Sequence, residues 1–189
     1  MWKEARYQLT ASAPLLMHNG QLANPLSKWS KAMKQISSKR LKTDADVEEL
    51  AHLEFQGSIY MSENGPVIPA EMIEAMLRDA AKKTKEGKLA QAGMFCTEHA
   101  ELQYDGPRDT ESLWKDERFR HSAVVRVQSN RVVRTRPIFR EWSAVAVVQY
   151  EDEVINISRL DEWFRIGGQQ VGVGDWRPRH GRFEAQRLT

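Results

Sequence analysis

The sequence predicts an α+β fold in which strands and helices alternate over a single domain, residues 1–189. Residues 6–12 (RYQLTAS) and 143–150 (SAVAVVQY) have the alternating and apolar-rich patterns of β-strands. Between them, residues 70–87 (AEMIEAMLRDAAKKTKEG) carry apolar side chains at helical spacing on one face. A chain of 189 residues with 41% hydrophobic and 29% charged content is sufficient for one globular domain with insertions.

The first strand leads into two predicted helices. Pro14 ends this strand or places it at an edge, and Asn19-Gly20 is a turn signal. Residues 24–40 are predicted to form a helix with an apolar face made of Leu26, Trp29, Met33 and Ile36. A second helix begins after Thr43, a suitable N-cap, and ends near Gly57.

The middle of the chain alternates turns, one strong helix and short strands. Residues 63–66 (ENGP) are predicted as a turn, and the helix that follows stops at Gly87. Residues 94–104 contain strand-like pieces. Residues 105–120 are polar and rich in turn signals, which predicts a long loop ordered by Leu113, Trp114 and Phe119.

The last third returns to strands around one helix. Ser122–Val127 is a predicted strand, and Ser129-Asn130 is a suitable hairpin turn. Ser158 is the predicted cap of a helix with an apolar face of Leu160, Trp163, Phe164 and Ile166. Phe183–Arg187 is the predicted last strand.

This order approximates a ferredoxin-like (RRM-like) βαββαβ core with inserted loops and helices near residues 21–57 and 105–140. In such a core the helices cover one face of the sheet. The other face is then available for RNA.

Several classes of protein are excluded by composition and motifs. Cys96 is alone, so neither an internal disulfide nor a cysteine-rich zinc site is expected, and a reducing cytoplasm suits the chain. No long apolar run predicts a membrane span, and the charged N-terminus argues against a signal peptide. The five histidines show no metal-binding spacing and no Walker loop is present, so we expect neither a metal nor a cofactor.

The stretch most suggestive of function is Gly167–Phe183 (GGQQVGVGDWRPRHGRF), here called the glycine–arginine loop. Bare backbone amides, guanidinium groups and a flat indole are suited to holding a phosphate backbone and stacking a base. The candidate binding residues in it are Gly172, Gly174, Trp176, Arg177, Arg179 and Arg182. A surface loop that closes a sheet is the structural alternative.

Two further basic segments are candidates for nucleic-acid contact. Residues 126–140 (RVQSNRVVRTRPIFR) contain no acidic residue and carry the arginines Arg126, Arg131, Arg134, Arg136 and Arg140. The predicted helix at 24–40 adds Lys28 and Lys31, although a solvated basic helix explains these two equally well.

Three stretches together resemble the RAMP superfamily, the RNA-binding ferredoxin-like proteins of CRISPR systems. TASAPLLMHNG (residues 10–20) resembles their first strand and loop, and PVIPAEMIEAMLRDAA (66–81) is similar to their proline-led loop and helix. The glycine–arginine loop resembles their C-terminal glycine-rich loop. The resemblance implies RNA contacts at His18, Asn19 and Arg78. This chain has Ala70-Glu71 where the family has Gly-Ser, and Glu71 would repel phosphate.

Within that superfamily the chain resembles the backbone subunit that lines guide RNA, or a stand-alone, phage-encoded relative. The resemblance implies side-by-side copies along the strand, further effector subunits as partners, and a thumb-like hairpin formed by residues 126–140 or 105–120. The expected function is therefore the binding of single-stranded nucleic acid by a homo-oligomer, with RNA expected as the ligand rather than DNA.

We do not expect the protein to be an enzyme, because the first loop, His18–Pro25, offers no carboxylate for metal-dependent cleavage. Two alternatives remain open. One is a metal-independent endoribonuclease of the RAMP type that uses His18 as general acid or base. The other is a structural or protein-interaction domain that binds no nucleic acid.

Overall fold

The computed structural model describes residues 1–127 and 129–188 of the chain. The strands are β1 Trp2–Ala11, β2 Leu15–Leu16, β3 Met61–Ser62, β4 Gly65–Ile68, β5 Met94–Cys96, β6 Ala100–Glu101, β7 Arg120–Val127, β8 Asn130–Phe139, β9 Ser143–Glu151 and β10 Phe183–Arg187. The helices are α1 Lys28–Ser37, α2 Asp44–Ser58, α3 Ala70–Lys83, α4 Gly87–Gly93, α5 Thr110–Lys115 and α6 Ile157–Ile166. The fold is thus α+β, as the sequence predicts, and its sheets are antiparallel. Over the described ranges, no helix combines the length and apolar character needed to cross a membrane.

The chain divides into two compact units. The first contains Met1–Leu16, Met61–Asp105 and the chain from Arg140 onward. The second contains Met17–Tyr60 and Gly106–Phe139, the two segments in which the sequence places its inserts.

The first unit is built on a four-stranded sheet of order β10-β1-β9-β5, in which every neighbouring pair is antiparallel. Tyr7 lies opposite Ala146 in β9 and its ring stacks on Phe164 of α6, with 3.8 Å between the ring centroids. The Tyr7 hydroxyl donates a hydrogen bond to Asp161 at 2.7 Å. Burial and this hydrogen bond to a carboxylate raise the pKa of Tyr7 well above its ordinary value, so the hydroxyl stays protonated as the donor.

Helix α3 supplies the second part of this core. Its apolar stripe of Ile73, Met76, Leu77 and Ala80 is fully buried, as the periodicity predicts. The opposite face of the sheet exposes Trp2 and Phe95, whose ring centroids are 5.0 Å apart. The small sheet β3-β4-β6 belongs to the same unit. Gly65 and Pro66 lie in β4, so the predicted turn is shorter than residues 63–66, because Gly65–Ile68 finds pairing partners in β3 and β6.

The second unit consists of α1, α2, α5 and the antiparallel hairpin of β7 and β8. Thr43 caps α2 as predicted, and the Asp46 side chain accepts a hydrogen bond from the Thr43 amide to complete a capping box. The predicted loop at 105–120 contains α5, because Asp109 caps it and Leu113 is fully buried. Trp114 stacks on His52 at 4.7 Å between centroids.

Other local predictions are corrected. Helix α3 ends at Lys83 rather than at Gly87, because Lys85 has a left-handed φ of 64°. Helix α1 begins at Lys28, so Leu26 precedes it and is exposed rather than part of its apolar face.

Helix α6 begins two residues earlier than expected, because the Asn156 side chain, rather than that of Ser158, caps it and accepts a hydrogen bond from the Arg159 amide. Helix α4 was not predicted, because its seven residues are too few for a clear apolar period.

Candidate nucleic-acid interface

The backbone of the glycine–arginine loop is held in place by its own unit. The amide of Asp175 donates to the Leu16 carbonyl at 2.8 Å, and the amide of Gly181 donates to the Pro14 carbonyl at 2.7 Å. The amide of Gly172 donates to the Gly167 carbonyl at 2.7 Å, and that of Gly174 to the Met72 sulfur at 3.1 Å. The expectation that Gly172 and Gly174 present bare amides to a ligand is therefore wrong, since both donate within the chain.

The loop also needs its glycines for internal packing. Gly174 and Gly181 have φ values of 79° and 73°, in the left-handed region that favours glycine. A Cβ on Gly181 would lie 1.7 Å from the Val173 carbonyl oxygen, and one on Gly174 would lie 2.4 Å from that of Leu16. The close approach inferred from sequence is thus made by the protein's own backbone. The result is a fixed loop that uses the amides of Gly172 and Gly174 internally and leaves the side chains of Trp176 and Arg177 accessible.

Those side chains form one wall of a groove against the C-terminal half of α3, here called the loop–helix groove. It has a volume of about 740 Å³. Trp176 and Arg177 line it on the loop side, and Lys82 and Lys83 line it on the helix side. An indole and three cations thus surround one open concavity, which is the combination that a phosphate backbone and a stacked base require.

Two carboxylates moderate the positive charge of the groove. Asp79 accepts a hydrogen bond from the Lys82 ammonium at 2.8 Å and lies 3.9 Å from the Arg177 guanidinium. Asp175 is the second acidic residue in the lining. Because the pairs with Asp79 are solvent-exposed, they are weak and can exchange for contacts with a ligand phosphate.

The remaining side chains of the loop have separate roles. Arg182 donates from Nε to the Pro178 carbonyl at 2.7 Å, so it stabilises the turn. Arg179 is exposed. Partial burial, helped by the nearby charge of Arg179, lowers the pKa of His180 below its ordinary value. His180 is therefore a neutral ring at neutral pH, and it lies 6.0 Å from the Trp176 ring centroid.

Lys82 and Lys83 are the groove residues that sequence reasoning missed. Residues 82–88 are basic and exposed in the sequence pattern, which by itself indicates only a solvated segment. Arg78, which the sequence did indicate, lies on α3 one turn before Lys82. Only the tertiary fold brings α3 to the glycine–arginine loop, so no local signal could have identified the pair of lysines.

The arginines of the hairpin formed by β7 and β8, here called the arginine hairpin, do not form one surface. Arg126 lies opposite Arg131, whereas Arg134 lies opposite Ala123 on the other face of the strand pair. The Arg134 guanidinium donates to the Glu54 carboxylate at 3.1 Å, and the Thr135 amide donates to the same carboxylate at 2.9 Å. Glu54 is buried, so Arg134 has a structural role in the second unit.

The other predicted contacts are distributed over both units. Arg136 lies opposite His121 in the hairpin, and Arg140 is an exposed residue of the first unit. The Asn19 side chain donates to the Ile59 carbonyl at 3.2 Å and accepts from the Gln21 amide at 3.0 Å, so it fixes a turn. His18 is exposed, and its carbonyl accepts a hydrogen bond from Tyr60.

The lysines of α1 remain at the surface of the second unit. Lys31 is exposed. The Lys28 ammonium lies 4.5 Å from the centroid of the Trp29 ring, a cation–π contact that uses one face of that ring. Of the predicted binding residues, Gly174, Trp176 and Arg177 line the loop–helix groove.

A cluster of carboxylates at the C-terminal end of β9 is the one group of possible metal ligands among residues 1–127 and 129–188. The carboxylates of Glu151, Asp152 and Glu153 lie within 4.8 Å of one another. Lys3 forms an ion pair with Asp152 at 2.7 Å, which lowers the pKa of Asp152 to about 2. The local charge is thus already partly neutralised by the protein.

No protein-family model and no curated protein sequence matches this chain. The geometry of the loop–helix groove therefore carries the functional argument.

Proposed function

We propose that this chain binds single-stranded nucleic acid, with RNA as the preferred ligand, in the loop–helix groove. The observation that carries the proposal is the position of Trp176, Arg177, Lys82 and Lys83 around one open concavity of about 740 Å³. A guanidinium group can contact a phosphate through two parallel hydrogen bonds, and ammonium groups add point charges on either side. Every base has a π-face that can stack on the indole, so the binding has little sequence preference.

The fixed backbone of the loop favours this function. Gly172, Gly174 and Gly181 are already locked by internal hydrogen bonds and close packing before any ligand arrives. Binding then has to order only the side chains of the groove, so little affinity is lost to ordering the loop.

A ferredoxin-like core is the finer fold assignment that we propose for the first unit. The elements β1, α3, β5, β9, α6 and β10 follow one another in a βαββαβ order. The sheet order β10-β1-β9-β5 places the first and third strands of that series at the centre, with antiparallel neighbours throughout. This topology supports the resemblance to RNA-binding ferredoxin-like proteins.

Self-association along the strand is the second part of the proposal, and it makes the chain a backbone subunit. The arginine hairpin supports it, because Val124 and Val133 lie opposite each other and remain 65% and 62% exposed. Arg126 and Arg131 lie on the same face, next to these valines. An apolar pair beside two cations is suited to contact with a neighbouring copy or with its bound strand.

The test is the affinity for labelled single-stranded RNA as a function of salt, measured by fluorescence anisotropy. Log K should fall linearly against log salt, with a slope of about 0.7 for each phosphate contact and therefore about 2 for three contacts. The RNA should be recovered intact with and without magnesium. Binding that ignores salt, or that prefers duplex, would contradict the proposal.

A further inference from the structure

A second concavity lies where α3 ends and α4 begins, and it is here called the basic hollow. Its volume is about 450 Å³. It is lined by Arg78, Lys82, Lys85, Gly87, Lys88 and Gln91. Four of these six residues are cations and none is acidic, and Lys82 also lines the loop–helix groove.

Little of this positive charge is compensated by the protein. Lys82 has Asp79 as its partner. Among the residues that the structure describes, Arg78, Lys85 and Lys88 form no ion pair with a carboxylate. Glu86 is the acid nearest in sequence, and its carboxylate pairs with Arg159 at 2.9 Å. Like charges held around one concavity repel one another, and a bound anion relieves that repulsion.

Lys85 has a backbone conformation that is unfavourable for a residue other than glycine. Lys85 has a φ of 64°, in the left-handed region, directly after the end of α3. Glycine is the preferred residue at such a helix-terminating position. The amide of Glu86 donates to the Ala81 carbonyl at 2.8 Å, which fixes the turn. A lysine thus stands where glycine is favoured, and its side chain lines the hollow.

Gly87 keeps the hollow open. A Cβ at this position would lie 2.7 Å from the Cγ atom of Lys82, so a larger residue would push against the stem of that lysine. Because Gly87 has no Cβ, the four cationic side chains have room to surround a small ligand.

We propose that the basic hollow binds a phosphomonoester, either the terminal phosphate of a nucleic-acid strand or the phosphate of a free nucleotide. A phosphodiester within a strand carries one negative charge, whereas a terminal phosphate carries nearly two at pH 7 and presents three oxygens. Four cations match that doubly charged group better than they match a diester. The strand-end form rests on the proposed function, because a strand that ends in the hollow enters the loop–helix groove past Lys82.

The experiment compares one RNA sequence with a 5′-phosphate, a 3′-phosphate or hydroxyl groups at both ends. One phosphorylated form should bind about tenfold more tightly than the hydroxyl form. The preference should increase between pH 5 and pH 7.5, because the second proton of the phosphate leaves near pH 6. Calorimetry measures the binding of adenosine monophosphate, which tests whether a free nucleotide is the ligand.

The matched variants separate the hollow from general electrostatics. Arg78→Gln/Lys85→Gln/Lys88→Gln should abolish the preference for the phosphorylated end. The control variant Lys28→Gln/Lys31→Gln/Lys34→Gln removes the same number of charges from α1 and should still prefer the phosphorylated end. Lys85→Gly removes one ammonium without disturbing the turn, so it should weaken the preference without lowering the melting temperature.

The outcomes distinguish the two proposals. If all three RNA forms bind equally and adenosine monophosphate does not bind, the proposal for the basic hollow is wrong, whereas the proposed binding of single strands is unaffected. If adenosine monophosphate binds and the triple variant of the hollow abolishes this binding, the proposal for the hollow is supported even when no RNA form binds. In that case only the proposed binding of single strands is contradicted.

Discussion

The loop–helix groove and the arginine hairpin are both rich in cations, but the fold uses those cations differently. In the hairpin, Arg126 and Arg131 lie on one face and Arg134 and Arg136 on the other, and the buried carboxylate of Glu54 accepts a hydrogen bond from Arg134. In the groove, Arg177 from the glycine–arginine loop and Lys82 from α3 line the same concavity, although they are far apart in sequence.

The difference shows that the density of charge along a sequence is a poor guide to a binding site. A strand alternates its side chains between two faces, which divides a run of arginines. A groove formed by two elements collects cations that no sequence window contains. If this account is right, the groove cations provide the main contacts with nucleic acid, whereas Arg134 of the hairpin stabilises the second unit.

The largest expected effect concerns the backbone that shapes the groove. Gly181→Ala should destabilise the protein by more than about 3 kcal/mol, because the left-handed φ is unfavourable for alanine and the new Cβ collides with the Val173 carbonyl. Denaturant unfolding measures this change. A Gly20→Ala variant is the control, because no atom lies within 4 Å of its added Cβ and Gly20 has no left-handed φ.

Removal of the groove cations should have the next largest effect, on affinity. The variant Lys82→Gln/Lys83→Gln/Arg177→Gln should bind single-stranded RNA roughly 10- to 100-fold more weakly at low salt, at about 0.5–1 kcal/mol for each exposed charge contact. Its salt slope should fall by about 2. The variant Arg126→Gln/Arg131→Gln in the hairpin removes two charges, and a loss larger than that of the groove variant would reverse the comparison.

The structural role of the hairpin is tested at Glu54. Glu54→Gln should destabilise the protein by about 1–3 kcal/mol, because the buried carboxylate accepts from both the Thr135 amide and Arg134. The affinity for RNA at a temperature where the variant is folded should be unchanged. A variant that keeps full stability but binds RNA more weakly would show that the Glu54 pair serves binding instead.

The smallest effect concerns the capping box of α2, the helix that holds Glu54. Thr43→Ala should cost about 1 kcal/mol of stability, because the Asp46 amide loses its side-chain acceptor. Denaturant unfolding measures this loss.

The capping box also predicts a dependence of stability on pH. The Lys39 ammonium and then the Thr43 amide lower the pKa of Asp46 to about 2 from an ordinary value of 3.8. Its contribution to stability is therefore complete above pH 3.8 and is lost as the pH falls toward 2. Asp46→Asn should remove this acid-dependent loss in thermal melts between pH 2 and pH 5.

Local patterns in the sequence predicted most elements of the fold. The Thr43 cap, the stripe of α3 and the strands β1 and β9 each depend on residues a few positions apart, so a pattern identifies them. Helix α5 was missed because it is short and polar, and it is stabilised through Leu113, which the sequence window does not connect to a core.

The candidate site could be predicted only in part. Trp176 and Arg177 were identified because they lie together in one motif. Lys82 and Lys83 were not, since their connection to the loop exists only in the folded chain. The structural role of Arg134 was equally hidden, because its partner Glu54 is 80 residues away. The internal use of the loop amides is a third property that follows from tertiary contacts alone.

Photocross-linking tests the central claim most directly. Single-stranded RNA that contains 4-thiouridine is cross-linked to the protein at low and high salt, and the modified peptides are identified by mass spectrometry. We expect cross-links at residues 174–178 and 79–88, concentrated at Trp176, and their loss at high salt. Cross-links confined to residues 120–139 would contradict the account, because they would place the strand on the arginine hairpin rather than in the loop–helix groove.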